Sequence, residues 1–426
     1  MNKKNVRNYR FWVLYSVSFV RTFFYAIYGL ALPNYLIYDK AVTSSFVGTI
    51  SSIAAILYVG GPLIGRAITK KTGSKITLLI SASFSFVMMI LVVIVSNPFL
   101  LIILRSLEGL SNGMFFPEIF NYVTSWEKNP VPNGKKIDHL KNFNYSWNFG
   151  LILGFLAGYG LVELIGSDFI AMIISVCIAG LALINILLME SNEKYQLHED
   201  KAVVFLNLKY LPQNREELDN PQKAPYVSES PDTSLVNVPL IMGLGGILFF
   251  ASTKSIFRFT LPYFLEDLSI GSQWVYLIVL GQQVLQIVGL QIIRKFKKMR
   301  YGYWVSVVVL LGSIISILLF PPNIYIIVII NIEMGFFFGL IHGVVQRIIL
   351  DKGKHYDSKK YTMLSEAFIG ISFGVPPIVA GFLLEIKFLY VFLFQIGLMV
   401  VLISVLLVNH FKYMKKEKLG IFKEKL

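Results

Sequence analysis

A series of long apolar stretches constrains the fold of this chain more than any other feature. Twelve of them approach the roughly 20 residues that a helix needs to cross a hydrocarbon core of about 30 Å. They lie near residues 11–33, 43–66, 75–96, 98–121, 141–162, 167–189, 237–263, 272–293, 303–320, 323–347, 362–385 and 388–410. Backbone polar groups must be satisfied within each stretch in lipid, so helices are predicted rather than strands. The sequence therefore predicts an all-α integral membrane protein with twelve transmembrane helices.

The positions of the charged residues indicate how the chain crosses the membrane. Only 15% of residues are charged, against about 25% in soluble proteins. A net charge of +14 would favour nucleic acid as a partner of a soluble protein. Here all but six of the 39 lysines and arginines fall in the termini and in alternate loops. That asymmetry predicts the cytoplasmic membrane, with both termini in the cytosol, and argues against a nucleic-acid partner.

The two parts of the chain resemble each other in sequence. Asn97, Gly109 and Gly113 align with Asn323, Gly335 and Gly339 at an offset of 226 residues, and Leu32-Pro33 aligns with Leu261-Pro262 at 229. A parallel repeat of this kind is typical of secondary transporters, which rock two halves around a site near the bilayer midplane. We predict an N-terminal six-helix bundle at 1–190, a cytosolic linker at 191–235 and a C-terminal six-helix bundle at 236–426.

Local motifs strengthen this interpretation. The loop after the second span contains Gly65, Arg66, Lys70, Lys71 and Gly73, the fourth span contains Arg105, Glu108 and Gly109, and the fifth contains Gly150, Gly154 and Gly158. In this arrangement the chain resembles the major facilitator superfamily, although Thr69 or Lys70 stands where that loop usually has an aspartate. The resemblance implies two pseudo-symmetric six-helix bundles and a gating loop containing Gly65, Lys70, Lys71 and Gly73. It also implies a central cavity lined by the first, fourth, seventh and tenth helices.

Seven ionisable residues fall inside the predicted spans: Arg21, Arg105, Lys254, Arg258, Glu108, Glu333 and Glu366. Each costs about 2.5 to 3.5 kcal/mol at the centre of a lipid-facing helix. We therefore expect them to face the bundle interior, a water-filled cavity or one another. All except Glu366 lie on the helices that the resemblance assigns to the cavity.

The predicted substrate-binding residues combine cations with aromatic and amide groups. Tyr25 and Tyr28 share the helical face of Arg21, Lys254 shares that of Arg258, and Gln282 shares that of Gln286. Arg105 is also a candidate, with an internal ion pair to Glu108 as the alternative. Four cations against three acids leave one positive charge in surplus, which favours an anionic organic substrate.

A carboxyl group in a cavity of low dielectric constant is suited to carry a proton. Glu333 has no basic neighbour on its own helix and is the predicted proton-coupling acid, with pairing to Lys254 or Arg258 as the alternative. Glu108, Glu366 and His342 are the further candidates. The chain has no phosphate-binding loop, so an ion gradient, expected to be a proton gradient, is the predicted energy source.

Other functional classes remain as alternatives. Efflux of hydrophobic drugs would also fit the glycine-rich fifth span and the many phenylalanines. A membrane enzyme is disfavoured because the sequence has no His-Glu-x-x-His motif and no aspartate-rich pair, so no metal or cofactor is predicted. A receptor or a lipid scramblase that kept the fold is a third class. The prediction is a monomeric secondary transporter of a small solute that is not an enzyme.

Overall fold

The computed structural model describes residues 11–128, 139–189, 238–293, 299–319, 323–355 and 358–418. These ranges form thirteen α-helices and contain no strand. The first half contains α1 Phe11–Asn34, α2 Ser44–Tyr58, α3 Gly61–Thr72, α4 Ser74–Ile94, α5 Pro98–Lys128, α6 His139–Ile165 and α7 Asp168–Leu188. The second contains α8 Leu240–Asp267, α9 Gln273–Ile293, α10 Met299–Leu319, α11 Ile324–His355, α12 Ser358–Ile386 and α13 Phe388–Lys418. The predicted linker at 191–235 lies outside the described residues.

Eleven of the described helices are long and apolar enough to cross a membrane, and a bent pair supplies the twelfth span. In that pair α2 and α3 meet at an angle of 41°. The break falls at Gly60-Gly61-Pro62, where Pro62 lies in the first turn of α3 and offers no backbone N–H to the preceding turn. The predicted fold class of twelve membrane-spanning helices in an all-α protein is confirmed. Helices α5, α11 and α13 continue beyond their predicted ends, because helical geometry does not have to stop where the apolar stretch does.

The same packing pattern occurs in both halves. In the first half, α1 packs against α6 and α7, and α5 packs against α2 and α4. In the second half, α8 packs against α12 and α13, and α11 packs against α9 and α10. The halves meet where α2 packs on α12 and where α6 packs on α9. The sequence repeat is thus a structural repeat, as predicted.

Glycines allow helices to approach closely at equivalent positions of the two halves. A Cβ atom at Gly109 would lie 1.9 Å from the carbonyl oxygen of Ala54, and one at Gly335 would lie 2.3 Å from that of Gln282. Neither contact has room for a side chain. Small residues of this kind are a main source of helix association in lipid. These two glycines hold α5 on α2 and α11 on α9.

Hydrogen bonds join the halves at the end of the molecule where α1 ends and α2 begins. Asp168 accepts bonds from the hydroxyls of Ser272, at 2.5 Å, and Tyr276, at 2.8 Å. The Tyr38 hydroxyl lies 3.0 Å from the carbonyl oxygen of Pro262 and 3.2 Å from that of Ile270. Asp168 and Tyr38 belong to the first half, and their partners belong to the second. The two bundles are therefore in direct contact at this end.

Candidate functional site

Glu108 is the centre of a polar cluster inside the first half. Its side chain is fully buried and accepts a bond of 2.5 Å from Nη1 of Arg105, three residues earlier on α5. The Tyr28 hydroxyl donates to it at 3.2 Å, and the Tyr25 hydroxyl oxygen lies 3.4 Å from it. The internal ion pair, which was the alternative to substrate binding for Arg105, is thus present. It satisfies charges that would otherwise be costly to bury.

Arg21 joins the same cluster through an amide that the sequence analysis missed. Its Nη2 donates to Oδ1 of Asn112 at 2.7 Å, and the guanidinium lies 3.6 Å from the centroid of the Phe115 ring. The Tyr25 hydroxyl donates to the same Oδ1 at 2.6 Å. Asn112 follows Glu108 by four residues, so the two share a helical face. That spacing was the signal that could have identified Asn112.

Lys254 is held by neutral amides in the second half. Its Nζ donates to Oε1 of Gln283 at 3.3 Å and also to Oε1 of Gln286. Gln283 in turn donates from Nε2 to Oδ1 of Asn148 on α6, at 3.0 Å. These hydrogen bonds connect Lys254, in the second half, to Asn148, in the first half.

Gln282 does not lie beside Lys254. Its Nε2 donates to Oδ1 of Asn331 at 2.9 Å, because the close approach at Gly335 turns this face of α9 toward α11. Gln283, the next residue, lies beside Lys254 together with Gln286. The predicted shared face of Gln282 and Gln286 thus divides between α11 and Lys254.

Arg258 lies one turn beyond Lys254 and differs from it in having no hydrogen bond to any described residue. Its guanidinium carbon is 5.7 Å from the centroid of the Phe155 ring on α6. Nε and Nη2 are buried and have no partner among the described residues. Within the described part of the chain, no carboxylate pairs with Arg258 or with Lys254. Two cations on α8 therefore face the junction of the halves without a counter-charge.

The structure places Glu333 outside this cluster, and the expectation that it faces the interior must be corrected. The residue is exposed, and its nearest bonding partner is the Ser313 hydroxyl on α10, at 3.5 Å. The face of α11 that contains Asn331 and Gly335 packs on α9, and a residue two positions away points about 200° around the helix. Glu333 consequently faces away from Lys254 and Arg258, so the alternative pairing does not form either.

The other two residues proposed for proton coupling are close to polar partners. Glu366 on α12 accepts a bond of 2.5 Å from the hydroxyl of Tyr58 on α2, so this contact joins the halves. The ring of His342 stacks on Phe250 with centroids 5.0 Å apart, and its Nδ1 is 3.4 Å from Nε2 of Gln286. His342 therefore belongs to the amide network around Lys254.

The predicted gating loop is formed by the end of α3 and the start of α4. Gly65 packs on Met114 of α5, and Gly73 has a φ of 84°, which favours glycine at the reversal between the helices. Lys70 and Lys71 are exposed in the last turn of α3. Thr69 donates to Oε1 of Glu118 at 2.8 Å, a contact that the sequence analysis did not anticipate. The gating role of this loop remains a prediction.

Comparison with known proteins places the chain in a family. A family model described as Major Facilitator Superfamily matches residues 14–358. The fold is similar to the nucleoside transporter NupG, with a TM-score of 0.63, 15% identity and coverage of 95% of this chain and 99% of that one. It is also similar to the peptide transporter POT in complex with sulfate, with a TM-score of 0.64, 12% identity and coverage of 95% and 94%. No curated protein sequence matches the chain. The likeness to these two structures concerns the fold alone, and the family model extends over most of the chain. The chain therefore belongs to the Major Facilitator Superfamily, and its architecture is that of a secondary transporter of small solutes.

Proposed function

We propose that this protein moves a small organic anion across the cytoplasmic membrane by alternating access, as a monomer with both termini in the cytosol. The observation that carries the proposal is the pair of cations on α8. Lys254 and Arg258 lie at the junction of the two halves, and no carboxylate pairs with either among the described residues. A buried cation without a counter-charge attracts a ligand of the opposite sign.

Among the seven ionisable residues predicted inside the spans, the surplus of positive charge in the interior is larger than the sequence indicated, because Glu333 is exposed. Arg21, Arg105, Lys254 and Arg258 remain in the interior, whereas Glu333 is exposed. Burying an ion is costly in a medium of low dielectric constant, and an anion that binds beside these cations offsets part of that cost. A structure with a similar fold, the peptide transporter POT, was solved in complex with sulfate, which is itself an anion.

Alternating access is supported by the way the halves contact each other. Along α2 and α12 the contact is made by backbone and small residues, as where Gly370 meets the carbonyl oxygen of Ala55. At the end where α1 ends and α2 begins it is made by hydrogen bonds of Asp168 and Tyr38. Rocking about the close helix contacts would break the bonds at this end and open the junction there.

Glu366 is the acid that we propose for proton coupling, in place of Glu333. No described cation pairs with it, and its bond to Tyr58 crosses between the halves. Glu108, by contrast, is engaged by Arg105. A carboxyl group without an ionic partner can gain or lose a proton without breaking an ion pair. Its contact with Tyr58 also depends on how the halves are arranged, which links protonation to the conformational change.

Counterflow into proteoliposomes tests the anion proposal. Purified protein is reconstituted, and uptake of labelled benzoate, phenyl phosphate, uridine and a cationic dye is measured against an internal pool of each solute. We expect saturable counterflow of at least one anion and none of uridine or the dye. Lys254→Gln should lower that counterflow at least about tenfold, because one of two desolvated charges is lost. Lys412→Gln, an exposed cation on α13, is the matched control and should leave it unchanged.

Each other result excludes this proposal in favour of a different class. Counterflow of the dye alone would indicate efflux of hydrophobic drugs. Conversion of a solute into a product would indicate an enzyme. Binding without counterflow of any solute would indicate a receptor that kept the fold.

A further inference from the structure

The guanidinium of Arg258 differs from those of Arg21 and Arg105. Arg21 donates through Nη2 to Asn112, and Arg105 donates through Nη1 to Glu108. In Arg258, Nε and Nη2 are both buried and neither has a partner among the described residues. These two nitrogens lie on the same edge of the planar group, and their N–H bonds point in parallel. Arg258 therefore has a complete two-donor edge without an acceptor.

The Nε–Nη2 edge is the part of Arg258 that remains for a ligand, because none of its described neighbours bonds to it. The Phe155 ring lies beside the guanidinium, 5.7 Å from its central carbon, and comes from the opposite half. Lys254, one turn earlier, already donates to Gln283 and Gln286. A buried donor without an acceptor is costly, so an unbonded pair of donors is a strong signal that an acceptor is missing.

The sequence repeat pairs Arg258 with a glycine of the first half. With the offset of 229 residues that aligns Leu32-Pro33 with Leu261-Pro262, Arg258 corresponds to Gly29 on α1. Gly29 is exposed, and a Cβ atom built on it would meet nothing within 4 Å. At equivalent positions of the repeat, one half thus has a glycine with open space around it and the other has the unbonded arginine.

We infer that the Nε–Nη2 edge of Arg258 binds the transported anion through two parallel hydrogen bonds to two oxygen atoms of one group. A carboxylate and a phosphate both present such a pair of oxygens, and this two-point geometry is the one that arginine recognises best. Lys254 contributes a second positive charge but no second fork. The inference rests on the proposed anion transport and narrows it: anions with paired oxygens are preferred to anions of equal charge that have none.

Thermal unfolding of the purified, detergent-solubilised full chain tests this inference, because a bound ligand stabilises by mass action. The probes are benzoate, phenyl phosphate and acetate, with benzamide as a neutral isostere and thiocyanate as an anion without paired oxygens. The variants are Arg258→Lys, which keeps the charge and removes the fork, and Arg258→Gln, which removes both. Arg66→Lys on α3 is the matched control, since Arg66 is exposed and away from the junction.

We expect the wild type and Arg66→Lys to bind at least one of the three oxyanions, and to bind benzamide and thiocyanate at least tenfold more weakly. Arg258→Lys should weaken oxyanion binding about tenfold, the loss of roughly one charge-assisted hydrogen bond. Arg258→Gln should weaken it further. The melting midpoint without ligand shows whether each variant is folded.

Four outcomes would overturn the inference. Wild-type affinity in Arg258→Lys together with lost binding in Arg258→Gln would show that charge alone suffices, and would leave anion transport intact. Unchanged binding in both variants would remove Arg258 from the site, again without affecting anion transport. Failure of every oxyanion to stabilise the wild type would overturn the fork and the anion proposal together. If Arg258→Lys does not fold, equal wild-type affinity for benzoate and thiocyanate decides against the fork.

Discussion

The two halves of this protein share a scaffold but differ in which of their interior cations have bonding partners. In the first half, Arg105 pairs with Glu108 and Arg21 bonds to Asn112, so its interior cations have partners. In the second half, the positions equivalent to Arg21, Arg105, Glu108 and Asn112 are Phe250, Asn331, Met334 and Phe338. Its cations appear instead on α8, where the first half has Tyr25 and Gly29. The interior cations of the first half therefore have hydrogen-bond partners, whereas Arg258 of the second half has none among the described residues.

The sequence repeat preserves the helix packing but not the positions of the charged residues. Gly109 and Gly335 occupy equivalent positions and make equivalent backbone contacts. The charged residues occupy positions that are not equivalent. Helix packing in lipid depends on close approach and tolerates little change, whereas a polar group can be exchanged wherever its partner changes with it. The halves have accordingly kept their packing and diverged in their chemistry.

Substitution of the equivalent glycines Gly109 and Gly335 should have the largest effect, a loss of folded protein. We expect Gly109→Ala and Gly335→Ala each to prevent recovery of folded protein, because the new methyl group would overlap backbone atoms that cannot move independently. Size-exclusion chromatography and thermal unfolding measure this. Gly160→Ala and Gly312→Ala are the matched controls, one in each half, and both face open space. Tolerance of one glycine substitution but not the other would show that the two contacts are not equivalent.

Replacing the Arg105–Glu108 ion pair with the residues at the equivalent positions of the second half should have the next largest effect on stability. Glu108→Met alone should destabilise the protein by about 3 kcal/mol, because Arg105 is left buried and unpaired. The double variant Arg105→Asn, Glu108→Met copies Asn331 and Met334 and should recover most of that loss. Thermal unfolding of the wild type and both variants gives the comparison. A double variant that is less stable than the single one would contradict the view that the halves are interchangeable here.

Neutralisation of Glu366 should have the smallest effect on stability and a selective effect on transport. Glu366→Gln keeps an acceptor for Tyr58, so we expect a change in the melting midpoint close to zero. Counterflow should continue, while accumulation of substrate driven by a pH gradient should be lost. Uptake by proteoliposomes with and without an imposed gradient measures both. Glu333→Gln is the control, since that carboxylate is exposed.

Accumulation that survives in Glu366→Gln would exclude the proposed coupling role. Loss of accumulation in Glu333→Gln would restore the role that the sequence analysis gave it. A loss of counterflow as well as accumulation in Glu366→Gln would place this acid in substrate binding instead.

The sequence predicted some site residues well and others poorly, for a reason that Glu333 illustrates. Arg21 and Glu108 were expected in the interior and are buried there. Glu333 was expected beside them because it is an acid on an equivalent helix, yet the offset of 226 residues aligns it with Leu107, whereas Glu108 aligns with Met334. The sequence repeat thus indicated that Glu333 does not occupy the position equivalent to Glu108. Residue type on a helix reports which chemistry is possible, and the packed face decides whether that chemistry is used.

Gln283 and Asn112 are interior residues that the sequence did not reveal. Both bond to interior cations, and neither was identified, because amides are common on helices and carry no charge to mark them. Gln282 was chosen by its spacing from Gln286, but the close contact at Gly335 turns it toward Asn331. A difference of one residue changes the direction of a side chain by about 100°.

The sequence by itself determined that this chain crosses a membrane in twelve helical spans and that its two halves are related. Hydropathy and repetition are local properties, so they can be measured without knowing what packs against what. Only the tertiary structure decided which charges have partners. Whether Arg105, Arg258 or Glu333 is paired, unbonded or exposed depends on the faces that the glycine contacts turn inward, and those contacts join residues from different helices.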